Sequence, residues 1–249
     1  MSATSLEAAL RTTRGPSIVA YLAAGFPDRE TFLRALDALD RSADAIEIGI
    51  PFSDPMADGS TIQRASRVAL ENGATLDGTL RDLEALPART PRVVMSYLNP
   101  LLSLPHDTLG SRFARAQISG VVVPDLPHDE SGALAEALAR HDIALVPMVT
   151  PLTRAERLAA IVRGARGFVY AVTTTGTTGQ SVSPADAIGA YLERVRAIAT
   201  VPVIAGFGIR AREHVAALCP PADGVVVGSA LVEAIEAGVD LETFVTGLR

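Results

Sequence analysis

One regularity constrains this chain more than any other: short apolar runs alternate with amphipathic segments from end to end. The runs are 18–24 (IVAYLAA), 45–50 (AIEIGI), 92–97 (RVVMSY), 120–125 (GVVVPD), 144–149 (ALVPMV), 167–172 (GFVYAV), 201–207 (VPVIAGF) and 224–229 (GVVVGS). Between them lie segments such as DRETFLRALDALDRS, ESGALAEALARHD, TRAERLAAIVRGA and AREHVAALC. In these, apolar residues fall three and four apart with charges on the far face, and several begin at an Asp, Ser or Thr suited to capping a helix. Strands alternating with helices imply right-handed βαβ units and a parallel sheet. Eight such units in 249 residues favour a closed (β/α)8 barrel, an α/β fold, over an open doubly wound sheet, with 1–249 as one domain. In such a barrel the loops at the C-terminal ends of the strands build the active site.

Composition removes several function classes. The longest apolar run falls well short of the roughly 18 residues a membrane span needs, and MSATSLEAALRTTRGPS lacks the apolar core of a signal peptide. A single cysteine, Cys219, offers no internal disulfide, so a soluble cytoplasmic protein is expected. A net charge of −6 provides no broad basic face for nucleic acid. All 22 basic residues are arginine, which excludes chemistry through a lysine Schiff base. A zinc aldolase needs clustered histidines, yet His106, His128, His141 and His214 are scattered, and only His128 lies near the active end of a strand. No metal site is expected.

The second run places a carboxylate between two isoleucines. Side chains alternate faces along a strand, so Ile46, Ile48 and Ile50 pack against helices while Ala45, Glu47 and Gly49 point into the barrel. A carboxylate there is costly unless paired, hydrogen-bonded or protonated. Arg92, the one basic residue within the eight runs, sits at the far end of its strand. The functional reading of Glu47 is a group whose pKa is raised, able to give and take protons near neutrality. The alternative is a satisfied structural carboxylate. The loop FSDPMADG adds Asp54, read as turn chemistry before Pro55, and Asp58, which is either a second acid converging on the substrate or a turn and helix-cap residue.

Glycines gather at the late strand ends: TTTGTTG at 173–179, GFG at 206–208 and GS at 228–229. Backbone N–H groups approach an anion closely at such turns, and helices expected to start near Ile209 and Ser229 add favourable dipoles. Loops after the last barrel strands frequently hold phosphate. The alternative is that tight βα turns use glycine for geometry alone.

The segments AYLAAGFPD, IEIGIPFSDPMADGSTIQ, MSYLNP, VVVPDLP, YAVTTTGTTG, VIAGFGI and VVVGSALV, in this order and spacing, resemble the tryptophan synthase alpha subunit family over nearly the whole chain. The resemblance implies a (β/α)8 barrel lyase of tryptophan biosynthesis. It would cleave indole-3-glycerol phosphate to indole and glyceraldehyde 3-phosphate, with no cofactor or metal of its own. It also implies an α2β2 complex with a pyridoxal-phosphate beta subunit that joins indole to serine. By position, Glu47 and Asp58 match the catalytic acids, and Tyr170 the tyrosine beside the glutamate. Tyr21, Ile62, Met95, Tyr97, Val122 and Phe207 fall at positions enclosing the indole. Gly179, Gly208, Gly228 and Ser229 fall where phosphate is held, and Thr178 where the loop closes. Two departures stand out: Ser60 where proline is usual, and Thr174 where an arginine is common. They bear on partner dependence more than on chemistry. Two alternatives follow, a stand-alone lyase releasing free indole and a silent subunit that only activates a beta partner. Retention of Glu47 and Asp58 argues against the silent subunit. A flavin- or nucleotide-binding barrel could use the same late glycines.

Overall fold

Every strand pair in the sheet is parallel, and the strands curl around a filled interior. The structure, a computed structural model, describes residues 1–11, 15–173, 185–206 and 208–249, with the side chains of Ala185 and Asp186 left aside. Among the described residues there are nine strands: β1 (Ser17–Ala23), β2 (Ala45–Gly49), β3 (Arg92–Met95), β4 (Ile118–Val122), β5 (Ala144–Val146), β6 (Met148–Val149), β7 (Val169–Val172), β8 (Val203–Gly206) and β9 (Gly224–Val227). They pair in the order β5-β4-β3-β2-β1-β9-β8-β7-β6. The two ends of that order are consecutive pieces of one run, so the sheet closes on itself as the nearly complete barrel expected.

The extra strand corrects the reading of 144–149 as one continuous stave. Proline has no N–H to give a neighbouring strand. Pro147 therefore divides the run: β5 pairs with β4 and β6 with β7, while the Pro147 carbonyl accepts from the Tyr170 N–H at 2.9 Å.

The period-two pattern separates two cores. Ile46, Ile48 and Ile50 join Ile18, Leu22, Val94 and the helices in an outer layer. Val19, Tyr21, Ala45, Val93, Phe168, Tyr170, Ile204 and Val226 fill the interior. Helix Arg29–Ser42 illustrates the outer layer. Asp28 caps it by accepting from the Thr31 N–H at 2.8 Å, and Phe32, Ala35, Leu36 and Leu39, on one 3.6-residue stripe, are its buried apolar side chains. Among the described residues, no helix is long and apolar enough to cross a membrane.

The N-terminal end of the barrel is plugged by helix Ala3–Ala9, which the sequence reading did not anticipate. Its Leu6 is fully buried and lies under Gly120 and Gly167. Glu7 accepts from the Gly167 N–H at 2.9 Å, tying plug to barrel. Arg92 also serves this end. Its guanidinium donates to the carbonyls of Leu83, Leu86 and Pro87, at the C-terminal end of helix Leu76–Glu84, where a cation is favoured. No hydrogen bond joins it to Glu47.

Candidate active site

The parallel register sets Tyr21 of β1 beside Glu47 of β2, and Glu47 beside Val93 of β3. Glu47 is 1% exposed, and neither carboxyl oxygen has a hydrogen-bond partner among the described residues. Burial pushes its pKa up to about 8, with the charge of Asp58 adding to the effect.

Two tyrosines flank it because two glycines make room. A Cβ on Gly49 would fall 2.2 Å from the Tyr21 hydroxyl, and one on Gly206 would fall 2.3 Å from the Tyr170 ring. Only a residue without a side chain lets these rings lie across the neighbouring strands. Burial drives both phenols well above the ordinary tyrosine value; Asp58 is the next cause for Tyr21, and Glu47 for Tyr170. They remain neutral hydroxyls beside the acid.

Asp58 does not cap the following helix. The N-cap of Ser60–Glu71 is Gly59, without any side-chain hydrogen bond. Burial raises the Asp58 pKa to about 6, against the lowering influence of the Tyr97 hydroxyl beside it. The Ala57 N–H donates to the same hydroxyl at 2.9 Å, and the Tyr97 ring stacks on Phe52 with centroids 5.1 Å apart. Tyr97 therefore fixes the acidic loop from behind. At neutral pH the two acids divide their states: Asp58 is mostly ionised and Glu47 mostly protonated.

A cavity of about 300 Å³ opens over Glu47, within the size range of small-molecule sites. Tyr21, Ile62, Met95, Tyr170 and Val226 provide its predominantly apolar wall, and Gly208, Gly228 and Ser229 its opposite rim. Helix Ser229–Glu236 begins at that rim with no side-chain cap, which leaves its first N–H groups available to an anion. The cavity thus offers an apolar slot, one proton-carrying acid and an anion rim, with the charge of Asp58 felt by Glu47 from just outside the lining. A larger cavity of about 550 Å³ beside the broken stave, reaching Pro124, His128, Pro147 and Arg157, has no carboxylate in its described lining and cannot supply that chemistry.

The structure gathers Tyr21, Glu47, Ile62, Met95, Tyr170, Gly208, Gly228 and Ser229 around one cavity. Val122 and Asp58 are buried but do not line this cavity, and Tyr97 stands behind Asp58. Thr178, Gly179, Phe207 and Thr174 lie outside the described residues. The helix after β8 starts at Arg212, not near Ile209. Asp54 lies exposed in its turn, and Asp125 accepts from the Leu98 N–H at 2.8 Å, at the start of helix Leu98–Leu101. Val226, Ile209, Arg210 and Thr61 line the cavity without having been anticipated. Val226 was readable, since it precedes Gly228 by two and shares its face. Among the described residues no cluster of three His, Cys, Asp or Glu could hold a metal ion.

Fold and site together define a (β/α)8 barrel enzyme working by acid–base chemistry on a small substrate with an apolar part and an anionic tail. The family description "Tryptophan synthase alpha chain" matches residues 8–246. The chain is 42% identical to the tryptophan synthase alpha chain of Desulfovibrio desulfuricans over 92% of each protein. It is 43% identical to that of Caulobacter sp. (strain K31), over 96% of this chain and 88% of the relative. A solved structure of tryptophan synthase from Mycobacterium tuberculosis superposes with a TM-score of 0.90 at 38% identity, covering 99% of this chain and 96% of that one. The chain belongs to the tryptophan synthase alpha chain family, the carbon–carbon lyases that cleave indole-3-glycerol phosphate in tryptophan biosynthesis and pair with a beta subunit.

Proposed function

We propose that Glu47 carries the protons of indole-3-glycerol phosphate cleavage and that Asp58 stabilises the charge developing on the ring. Protonated Glu47 gives its proton to indole C3, making the ring cationic at nitrogen. Ionised Asp58 accepts from the ring N–H and lowers the energy of that cation. As the bond from C3 to the side chain breaks, its electron pair returns to the ring. The side-chain hydroxyl becomes the aldehyde, and its proton passes to the Glu47 carboxylate. Indole and glyceraldehyde 3-phosphate leave, and Glu47 is protonated again. Tyr170 and Tyr21 hold the ring against Glu47, with Ile62 and Met95 completing the slot. Gly208, Gly228 and Ser229 bind the phosphate through N–H groups and the Ser229 hydroxyl.

One observation carries this reading: a carboxyl 1% exposed, without a hydrogen-bond partner among the described residues, at the floor of a cavity whose rim suits an anion. A structural carboxylate at such depth would be paired. Among the described residues the three most exposed large apolar side chains, Met56, Leu102 and Leu152, at 71%, 56% and 76%, all sit on loops at the cavity end of the barrel, the end to which we assign the beta subunit. We read residues 1–249 as one catalytic domain acting in the cytoplasm. The test measures indole release from indole-3-glycerol phosphate by the parent chain and by Glu47→Gln, with and without a beta subunit. The parent should turn over and gain rate with the partner, while the variant binds the substrate but releases no indole. Parent-like turnover in Glu47→Gln would refute the assignment. A high rate for the parent alone, unchanged by the partner, would identify a stand-alone lyase.

A further inference from the structure

Arg210 follows Gly208 by two residues and lines the same cavity as Gly208, Gly228 and Ser229. Among the described residues of that lining it is the one cation. Its backbone N–H is engaged, donating to the His214 ring at 3.1 Å, so the guanidinium is the group left to meet an anion. That side chain pairs with Glu233, on the helix Ser229–Glu236 whose uncapped start forms the other side of the rim. The partners are 52% and 40% exposed, and ion pairs so exposed are weakly held. Glu233 does not depend on Arg210 alone, since Arg64, bonded to Glu236, also feels the Glu233 charge.

The geometry points to Arg210 as a side-chain ligand of the substrate's phosphate, handed over from Glu233 when the cavity fills. The inference rests on the reading of this cavity as the indole-3-glycerol phosphate site and adds to it. A phosphate dianion offers the guanidinium fork two oxygens and twice the charge of a carboxylate. A protein of net charge −6 with no lysine gains from a cation that is neutralised while the site is empty and delivered when the anion arrives. Arg210 touches the tail and not the reacting atoms, so its effect belongs in KM.

The test uses the full chain with its beta partner, measuring steady-state indole release and inhibition by inorganic phosphate in parent, Arg210→Ala, Arg210→Lys, Glu233→Gln and Ser229→Ala. Arg210→Ala is expected to raise KM and the phosphate inhibition constant about tenfold or more, as for loss of a hydrogen bond to a charged group, with kcat within about twofold of parent. Arg210→Lys recovers part of the loss, because a point charge replaces a fork. Glu233→Gln frees the guanidinium and should lower both constants, a sign opposite to that of Arg210→Ala. A purely structural ion pair would shift both variants in the same direction, which would overturn the proposal, and Glu233→Gln decides the matter even where Arg210→Ala does not fold. If Arg210→Ala leaves both constants unchanged while Ser229→Ala raises them, Arg210 is not a ligand but the phosphate rim stands. If neither variant moves them, the Arg210 inference falls, and a failure of inorganic phosphate to compete with substrate in the parent would bring the backbone rim down with it.

Discussion

Replacing Glu47 with glutamine separates what this carboxyl does for chemistry from what it costs the fold. In the folded chain Glu47 keeps its proton up to about 8, against an ordinary 4.5, chiefly through burial and secondarily through the Asp58 charge. Between those two values the folded state binds more protons than the unfolded chain, so stability falls as pH rises. Below 4.5 there is no penalty. Each pH unit above it costs about 1.4 kcal/mol, so the loss is about 3 kcal/mol at pH 7 and levels off near 5 kcal/mol above pH 8. Glutamine has nearly the same shape, stays neutral at every pH and inherits the same unpartnered position. Urea unfolding should therefore find Glu47→Gln within about 1 kcal/mol of parent at pH 5 and more stable by about 3 kcal/mol at pH 7, while indole release is abolished. Stability curves that run parallel from pH 5 to pH 8 would refute the reasoning. So would a variant less stable than parent at pH 7, since that is the behaviour of an ionised, paired carboxylate.

Three further outcomes follow from the same geometry. Tyr97→Phe removes the hydroxyl that lowers the Asp58 pKa from its burial-raised position, so the acid limb of the kcat/KM profile should move from about 6 to higher pH while the limb near 8 set by Glu47 stays; an unmoved acid limb contradicts the influence of Tyr97 on Asp58. Gly206→Ala drives a Cβ to 2.3 Å from the Tyr170 ring, which should cost about 1–3 kcal/mol and displace the ring from Glu47; parent-like melting and kcat would show that the ring lies elsewhere. Leu6→Ala empties the plug at the end opposite the cavity and should lower unfolding stability by about 2–5 kcal/mol with kcat and KM at 25 °C within about twofold of parent; a KM effect would break the separation between the two ends.

Much of this architecture was written in local pattern. A period of two placed Glu47 and Gly49 on the inward face, and the structure sorts Ile46, Ile48 and Ile50 into the outer layer accordingly. The features that escaped depend on distant partners or on short elements. Helix Ala3–Ala9 buries only Ala3 and Leu6, too little for a 3.6-residue period to register. Pro147 looked like one residue of a six-residue run, yet its missing N–H is what splits the stave between two neighbours. Asp58 before a glycine and a helix reads as a cap; its pKa instead feels Tyr97, which follows the adjoining strand. Arg210 gave no local sign, because its meaning comes from closing the barrel beside Ser229 and Glu233.

The central claim is that Glu47 is a neutral acid inside the barrel at physiological pH, and infrared difference spectroscopy reads that state directly. Parent minus Glu47→Gln spectra, recorded across pH 5–9, should show the carbonyl stretch of a protonated carboxylic acid at pH 7 that disappears with a midpoint near 8. A carboxylate band already complete at pH 7, with a midpoint near the ordinary 4.5, would contradict the account.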